Sequence, residues 1–408
     1  MIQLKNAAIG LVCVVLLGTA YAADAPKGPQ ISRSIAKEII AAQKALQANQ
    51  FAEGLKSLTA AEAVSPLTSF DHKTIDELKA FAYIKTNDYK SAQHAYEDAL
   101  ATGAANAEET SRYSRAVFSI AISTQQYTKA IEFGKKLVDS GNATADIYMA
   151  ITQSYYLQKD CKDAVAWVDK SVAYARVQHE TPKENLYLFK LQCAFDGNDN
   201  AGTIAALEDL IRLNGKTDYW NKLLRLERQD EREDKNLLMI YRIMFNTSSM
   251  IVSSDYLEMA QLLGDAGLPG EAQAVVQKDL DMGLVAADGK DRANRLLNSV
   301  KTRADTDRKG LVQFEGEASK SATGELDVKL GEVYFGFGDY QNAATAIARG
   351  LQKGQIKHLE EAYVYLGLAQ KNLKNDAEAR KAFAQLKNVA GISPRVLRLW
   401  NLYAERLG

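Results

Sequence analysis

The sequence predicts an all-α protein assembled from repeated helical pairs, and three observations carry that expectation. Apolar residues recur at three- and four-residue intervals along nearly the whole chain, as in Leu78, Phe81 and Ala82 or Val333, Tyr334 and Phe337, and no stretch alternates with period two for long. Past residue 30, proline is confined to points where helices start or turn: Pro66 and Pro182 between pairs, Pro269 in a short turn, and Pro394 after the N-cap candidate Ser393. A small residue returns at a near-constant interval, at Gly54, Ala92, Ala130, Ala164, Ala272, Ala343 and Ala379, with degenerate counterparts at Thr203 and Asn236 and one more expected near Gly310. From Gly54 to Ala379 is 325 residues over nine intervals, about 36 each.

Composition agrees with a folded chain. Of 408 residues 47% are apolar and 25% charged, which excludes a disordered or collagen-like protein. Fifty basic against fifty-one acidic residues give a net charge of −1, so no global positive field would draw the chain to nucleic acid or an anionic membrane.

Residues 1–22 read as a cleavable export signal. Lys5 supplies the positive start, Ala7 to Gly18 is almost unbroken apolar sequence, and Ala20-Tyr21-Ala22 has the small-x-small form of a cleavage site after Ala22. The apolar run is shorter than the ~20 residues a spanning helix needs, and no other stretch is long and apolar enough. Cys13 lies in mid-run without the box of a lipoprotein. Residues 23–30, with Pro26 and Pro29, form a short leader. The expected mature chain is therefore periplasmic, carries net charge −2, and keeps Cys161 and Cys193.

Each element of the repeat can be read in order. Leu330-Gly331-x-x-Tyr334, then Gly338-Asp339-Tyr340-x-x-Ala343 and Ile347, describes a helix, a tight turn and a second helix. Leu366-Gly367, Asn375-Asp376, Ala379 and Phe383 repeat it. Ala80, Tyr83, Asn87-Asp88-Tyr89, Ala92, Tyr96 and Ala99 carry it near the front, followed by Phe118, Tyr127 and Ala130, then Tyr148, Tyr155 and Ala164, then Tyr256, Ala260, Gly267 and Ala272. This pattern resembles the tetratricopeptide repeat, whose unit is about 34 residues of paired helices. The resemblance implies a right-handed superhelical solenoid over residues 31–408, of about ten pairs, with weak repeats around 200–240 and 285–320. A closing helix from Pro394 to Leu407 would cap it through Val396, Leu397, Trp400 and Tyr403. The chemistry of the signature is packing: the small residue lets two helices approach, and an aromatic fills the gap against the next pair.

No constellation for catalysis, a cofactor or a metal emerges. His72, His94, His179 and His358 stand far apart, with no Cys or carboxylate at ligand spacing. The Gly336-Phe337-Gly338-Asp339 phrase has no preceding strand and reads as an inter-helix turn rather than a phosphate loop. The run Arg225 to Lys235 alternates in sign and reads as a solvated helix and turn. Trp167 and Trp220 are expected to pack between helices. Cys161 and Cys193 fall on neighbouring antiparallel helices, so a disulfide is expected, with two buried thiols the alternative.

A stack of helical pairs binds extended peptides or protein surfaces along the face lined by the first helix of each pair. By repeat register that face includes Arg112, Arg115, Gln153, Tyr156, Gln192, Asn221, Arg225, Arg228 and Gln261, a polar lining suited to peptide carbonyls or acidic side chains. The expectation is a non-enzymatic scaffold with a protein or peptide partner. A role in envelope or cell-wall assembly is the runner-up, and an enzyme with its site in the degenerate repeats is a third reading. Asp218-Tyr219-Trp220-x-x-Leu223, Leu257-x-x-Ala260-x-Leu262-Leu263, Gly267-x-Pro269-x-x-Ala272 and Met282-Gly283 are similar to periplasmic repeat proteins of TonB-type energy-transduction systems, which implies a partner in TonB-dependent uptake.

Overall fold

The computed structural model describes residues 29–407. The expected export segment and residues 23–28 of the leader lie outside the described residues. Twenty α-helices occur among the described residues, and no strand. The chain divides into two compact units, one ending at Cys193 and one beginning at Ala194.

In the first unit the helices follow as α1 (Ala36–Gln47), α2 (Phe51–Glu62), α3 (Ser69–Lys85), α4 (Tyr89–Ala101), α5 (Ala107–Ser123), α6 (Tyr127–Asp139), α7 (Ala145–Leu157) and α8 (Cys161–Val177), and α9 (Glu184–Asp196) begins there. Each first helix packs antiparallel on its successor, α1 on α2 through α7 on α8. The turn inside each pair has one recipe. A residue in the left-handed region ends the first helix (Asn87 at φ 61°, Gln125 at 58°, Lys159 at 61°) and the next residue starts the second. Where that next residue is Asp88 or Asp160, its carboxylate accepts from the backbone N–H of Ser91 or Asp163 at 3.1 Å. Two first helices start on capping boxes, Thr68 with Asp71 and Asn106 with Glu109.

The small-residue register is the packing seam. Ala92, Ala130, Ala164, Ala272, Ala343 and Ala379 are each fully buried. Across from Ala343, a Cβ added to Gly331 would lie 2.4 Å from Ile347 Cγ1 and 3.0 Å from the Ala343 carbonyl oxygen. Only glycine lets those two helices approach so closely.

The second unit contains α10 (Asn200–Asn214), α11 (Thr217–Gln229), α12 (Asp234–Asn246), α13 (Ser253–Asp265), α14 (Pro269–Asp281), α15 (Lys290–Lys320), α16 (Glu325–Gly336), α17 (Tyr340–Lys353), α18 (Leu359–Asn372), α19 (Asp376–Ala384) and α20 (Pro394–Glu405). It departs from the expected repeat in three ways. First, the pair expected near Gly310 is one 31-residue helix, α15. Its sequence is charge-rich and lacks a capped turn, so nothing breaks it in two. Second, no residue of the turn between α11 and α12 takes a positive φ, so this turn lacks the left-handed residue of the other pairs. Third, α20 does more than cap α19. It also packs on α10 and α12, burying Val396, Leu399, Trp400, Leu402 and Tyr403, while Leu397 stays half-buried.

The outcome is that α12 lies at the centre of this unit. Eight of its thirteen residues are buried, including Asn236 and Arg242. Arg242 is held by Glu271 of α14, with Nε and Nη2 donating at 3.2 Å each, and by the Tyr365 hydroxyl of α18. Tyr365 in turn donates to Glu271 Oε2 at 2.6 Å. A buried guanidinium is tolerated because the Glu271 carboxylate and the Tyr365 hydroxyl supply it with oxygen partners.

Candidate protein-binding face

In the first unit the first helices meet one another directly. Lys73 of α3 donates to Glu109 of α5 at 2.6 Å, and Arg112 of α5 donates to Glu77 of α3 at 2.5 Å. The second helices form a parallel row joined by Lys129 to Glu97 at 2.6 Å and by Gln93 with Gln126. Two rows of helices thus present two different faces, as the repeat register requires.

The nine residues placed on the first-helix face by register divide sharply. Arg112 is half-exposed beside its Glu77 partner, and Arg115 is exposed and donates to the Asn142 carbonyl at 2.7 Å. Gln153 and Tyr156 of α7 are half-buried, Tyr156 with its ring 5.0 Å from that of Phe189, and Gln192 of α9 is exposed. These five share the first-helix row of the first unit.

The second unit treats its members differently. Asn221 is buried and donates to the Ser249 carbonyl at 2.7 Å. Arg228 donates to the Tyr241 hydroxyl at 2.5 Å and pairs with fully buried Asp255 at 2.8 Å. Expected on the protein-binding face, both are instead engaged inside the fold. Arg225 is half-exposed on the same helix, and Gln261 is exposed and donates to its own helix neighbour Asp265 at 3.1 Å.

The Arg225–Lys235 run is mostly the solvated helix end and turn expected of it, but three of its charges, Glu227, Arg228 and Lys235, are engaged in the fold. Glu227 is buried and accepts from Arg398, with Arg395 at 3.3 Å. Lys235 pairs with buried Glu360. The complementary charges sit on α13, α18 and α20, too distant in sequence for the run alone to reveal them. Burial raises the Glu227 carboxyl from its ordinary value even with Arg398 and Arg395 opposing it.

Other singled-out residues have structural surroundings. Cys161 and Cys193 are joined by a disulfide, with Cα atoms 5.4 Å apart. Trp167 is buried with the Lys170 ammonium 4.4 Å from its ring, and Trp220 packs edge-on against Tyr403. All four histidines are exposed. Gly338, at φ 78°, and Asp339, which accepts from the Asn342 N–H at 3.2 Å, make the turn between α16 and α17. Among the described residues no three His, Cys, Asp or Glu side chains lie close enough to hold a metal ion. No helix among them is long and apolar enough to cross a membrane.

Paired antiparallel helices, left-handed turns with Asp N-caps and a buried small-residue seam define a tetratricopeptide-like all-α repeat protein. The chain matches no protein-family model and no curated protein. Among solved structures it is similar to Naa15/Naa10 bound to HypK-THB, with TM-score 0.36 and 12% identity, covering 89% of this chain and 64% of that one. It is similar to a tetratricopeptide repeat protein from Parabacteroides merdae, with TM-score 0.29 and 10% identity, covering 82% and 98%. A repeat-containing protein from Cytophaga hutchinsonii gives TM-score 0.28 and 14% identity, covering 88% and 97%. The fold assignment stands on this chain's own helices and seam.

Proposed function

We propose that this chain is an exported, non-enzymatic scaffold that binds a protein or peptide along the first-helix face of its first unit. One observation carries the reading. Arg112, Arg115, Gln153, Tyr156 and Gln192 all keep exposed surface on one row of first helices, whereas in the second unit Asn221 is buried and Arg228 pairs with buried Asp255. Guanidinium and amide groups in a row suit peptide carbonyls and acidic side chains, and adjacent aromatic surface adds apolar contact. The sequence of residues 1–22 supports export to the periplasm. The similarity of residues 218–283 to repeat proteins of TonB-type systems supports a partner in outer-membrane uptake.

The test is crosslinked capture from periplasmic and envelope fractions by the mature chain, beside Arg115→Glu and Gln153→Glu variants. A partner that wild type captures and both variants lose, at unchanged helicity, supports the reading. Capture that neither variant affects refutes this face. A TonB-system component among the lost partners supports the uptake assignment, and a cell-wall assembly protein replaces it with the runner-up.

A further inference from the structure

Helix α15 carries a charge pattern that neither the fold nor the first-unit face uses. Between Lys290 and Lys309 seven basic residues stand against three acidic ones, and all seven are exposed. The whole chain has net charge −1, so this excess is local to the helix. From Arg292 to Lys309 it extends over roughly 25 Å of the helix axis.

The other side of α15 holds it to the unit. Ala293, Val300, Ala304 and Ala318 are buried, and Leu311 and Phe314 are half-buried, at three- and four-residue spacing. This stripe packs on α14 and α16. The cations occupy the remaining, solvent-facing side.

Charges that serve the fold elsewhere find partners. Lys136 reaches Glu132 at 2.8 Å and Lys222 reaches Asp218 at 2.7 Å, each one turn away on its own helix. On α15 the same spacing relates Asp291 to Arg295, and Asp305 to Lys301 and Lys309. None of the seven cations nevertheless forms an ion pair among the described residues. Arg303 feels half-buried Asp307, and Arg308 lies 4.6 Å from the Phe337 ring. Arg292, Arg295, Lys301 and Lys309 have no such neighbour, so their field points into solvent.

The shape of this surface selects among anionic partners. The outer side of a single helix offers no groove for an extended peptide. Its one aromatic, Phe314, is half-buried in the packing stripe, which leaves none to stack on bases. A row of long, flexible cations suits a flat layer of phosphates, and basic segments of this kind are drawn to anionic lipid. Val312, 85% exposed and one turn beyond Lys309, adds an apolar contact at headgroup level.

We propose that the outer side of α15 docks the protein on an anionic phospholipid surface, with Arg292, Arg295, Lys301 and Lys309 facing the phosphates. This role is independent of partner capture by the first unit.

Flotation of the mature chain with lipid vesicles tests the docking. Wild type should float with phosphatidylcholine vesicles holding about 30% phosphatidylglycerol at about 50 mM salt. It should not float with pure phosphatidylcholine, and about 500 mM salt should release it. Arg292→Glu, Arg295→Glu, Lys301→Glu and Lys309→Glu combined should lower the partition constant about tenfold or more at an unchanged melt. The same four positions changed to Gln should weaken it less, and that variant serves alone if the first does not fold. A control with Lys37→Glu, Lys44→Glu, Lys56→Glu and Lys90→Glu, all exposed in the first unit, alters net charge equally and should keep most of the binding. Equal flotation with both vesicle types, a Gln variant that floats like wild type, or equal loss in the control would overturn lipid docking. Wild type that ignores vesicles but is retained through α15 on immobilised polyglutamate would replace the lipid with an acidic protein.

Discussion

Arg398 of α20 donates through Nη2 to Oε1 of buried Glu227 on α11, although 171 residues separate them. A plain helical-pair stack contains only neighbour contacts, so its stability is close to a sum over repeats. The second unit is different. Arg398 also reaches Glu208 of α10 at 2.8 Å, Arg212 donates to Glu405 at 2.9 Å, and α12 is tied to α18 by Arg242 with Tyr365 and Lys235 with Glu360. Its first and last helices hold each other.

That closure predicts cooperativity. Replacing both Arg395 and Arg398 by Ala leaves Glu227 buried without its partners, and because both guanidinium groups are partly exposed the cost should be about 1–3 kcal/mol. The loss should appear in α10, α11, α12 and α20 together. Chemical denaturation followed by the Trp220 and Trp400 signals measures it. A shift confined to α20 would show that the closure contributes little.

Arg228 and Arg225 should separate folding from surface. Arg228→Glu places a second negative charge against fully buried Asp255 and should destabilise by several kcal/mol, of the order of a broken buried pair. Arg225→Glu, at a half-exposed position on the same helix, should stay within about 0.5 kcal/mol of wild type. Thermal melts of the two variants give the comparison.

The disulfide should be a stability element of the first unit. Cys161 and Cys193 close a loop with sequence separation 32, and a loop of this size is worth roughly 3–4 kcal/mol in the chain-entropy account. Denatured, unreduced protein should show almost no free thiol. Cys161→Ser with Cys193→Ser should melt earlier while keeping its helicity, and an unchanged melt would remove the bridge from the stability of this unit.

The first unit should also lose stability in acid through Asp71. Burial alone would raise this carboxyl. Two bonds from Ser32, at 2.9 and 2.6 Å, and two from Thr68, at 2.9 and 2.7 Å, outweigh it and hold the group at about 2, against an ordinary 3.8. A depressed acid contributes fully above its unfolded value. Its contribution, about 2 kcal/mol, is therefore lost as pH falls from about 4 through 2. Asp71→Asn should flatten that acid limb in urea denaturation between pH 2 and pH 5.

Much of this was legible in the sequence, and the division has a physical cause. Helical pairs, turn positions and the small-residue seam are local or nearest-neighbour features, so Asn87-Asp88, Gly338-Asp339 and Ala343 announce themselves in the chain. The roles of Glu227, Arg228 and Lys235 depend on Arg398, Asp255 and Glu360, whose approach is decided by how far the second unit closes. Nothing in an alternating charge run distinguishes water from a distant helix as its partner. The long α15 was hidden for the opposite reason. A period fitted across nine intervals supplies a pair near Gly310 whether or not a turn exists there.

The binding face is tested most directly by placing a photo-crosslinking residue at single positions of the mature chain and exposing it to periplasmic extract. Gln153 stands on the first-helix row, and exposed Glu132 of α6 on the second-helix row serves as the control. A discrete crosslinked partner from position 153 and none from position 132 is the predicted result. The same partner from both positions, or from position 132 alone, would contradict binding along the first helices.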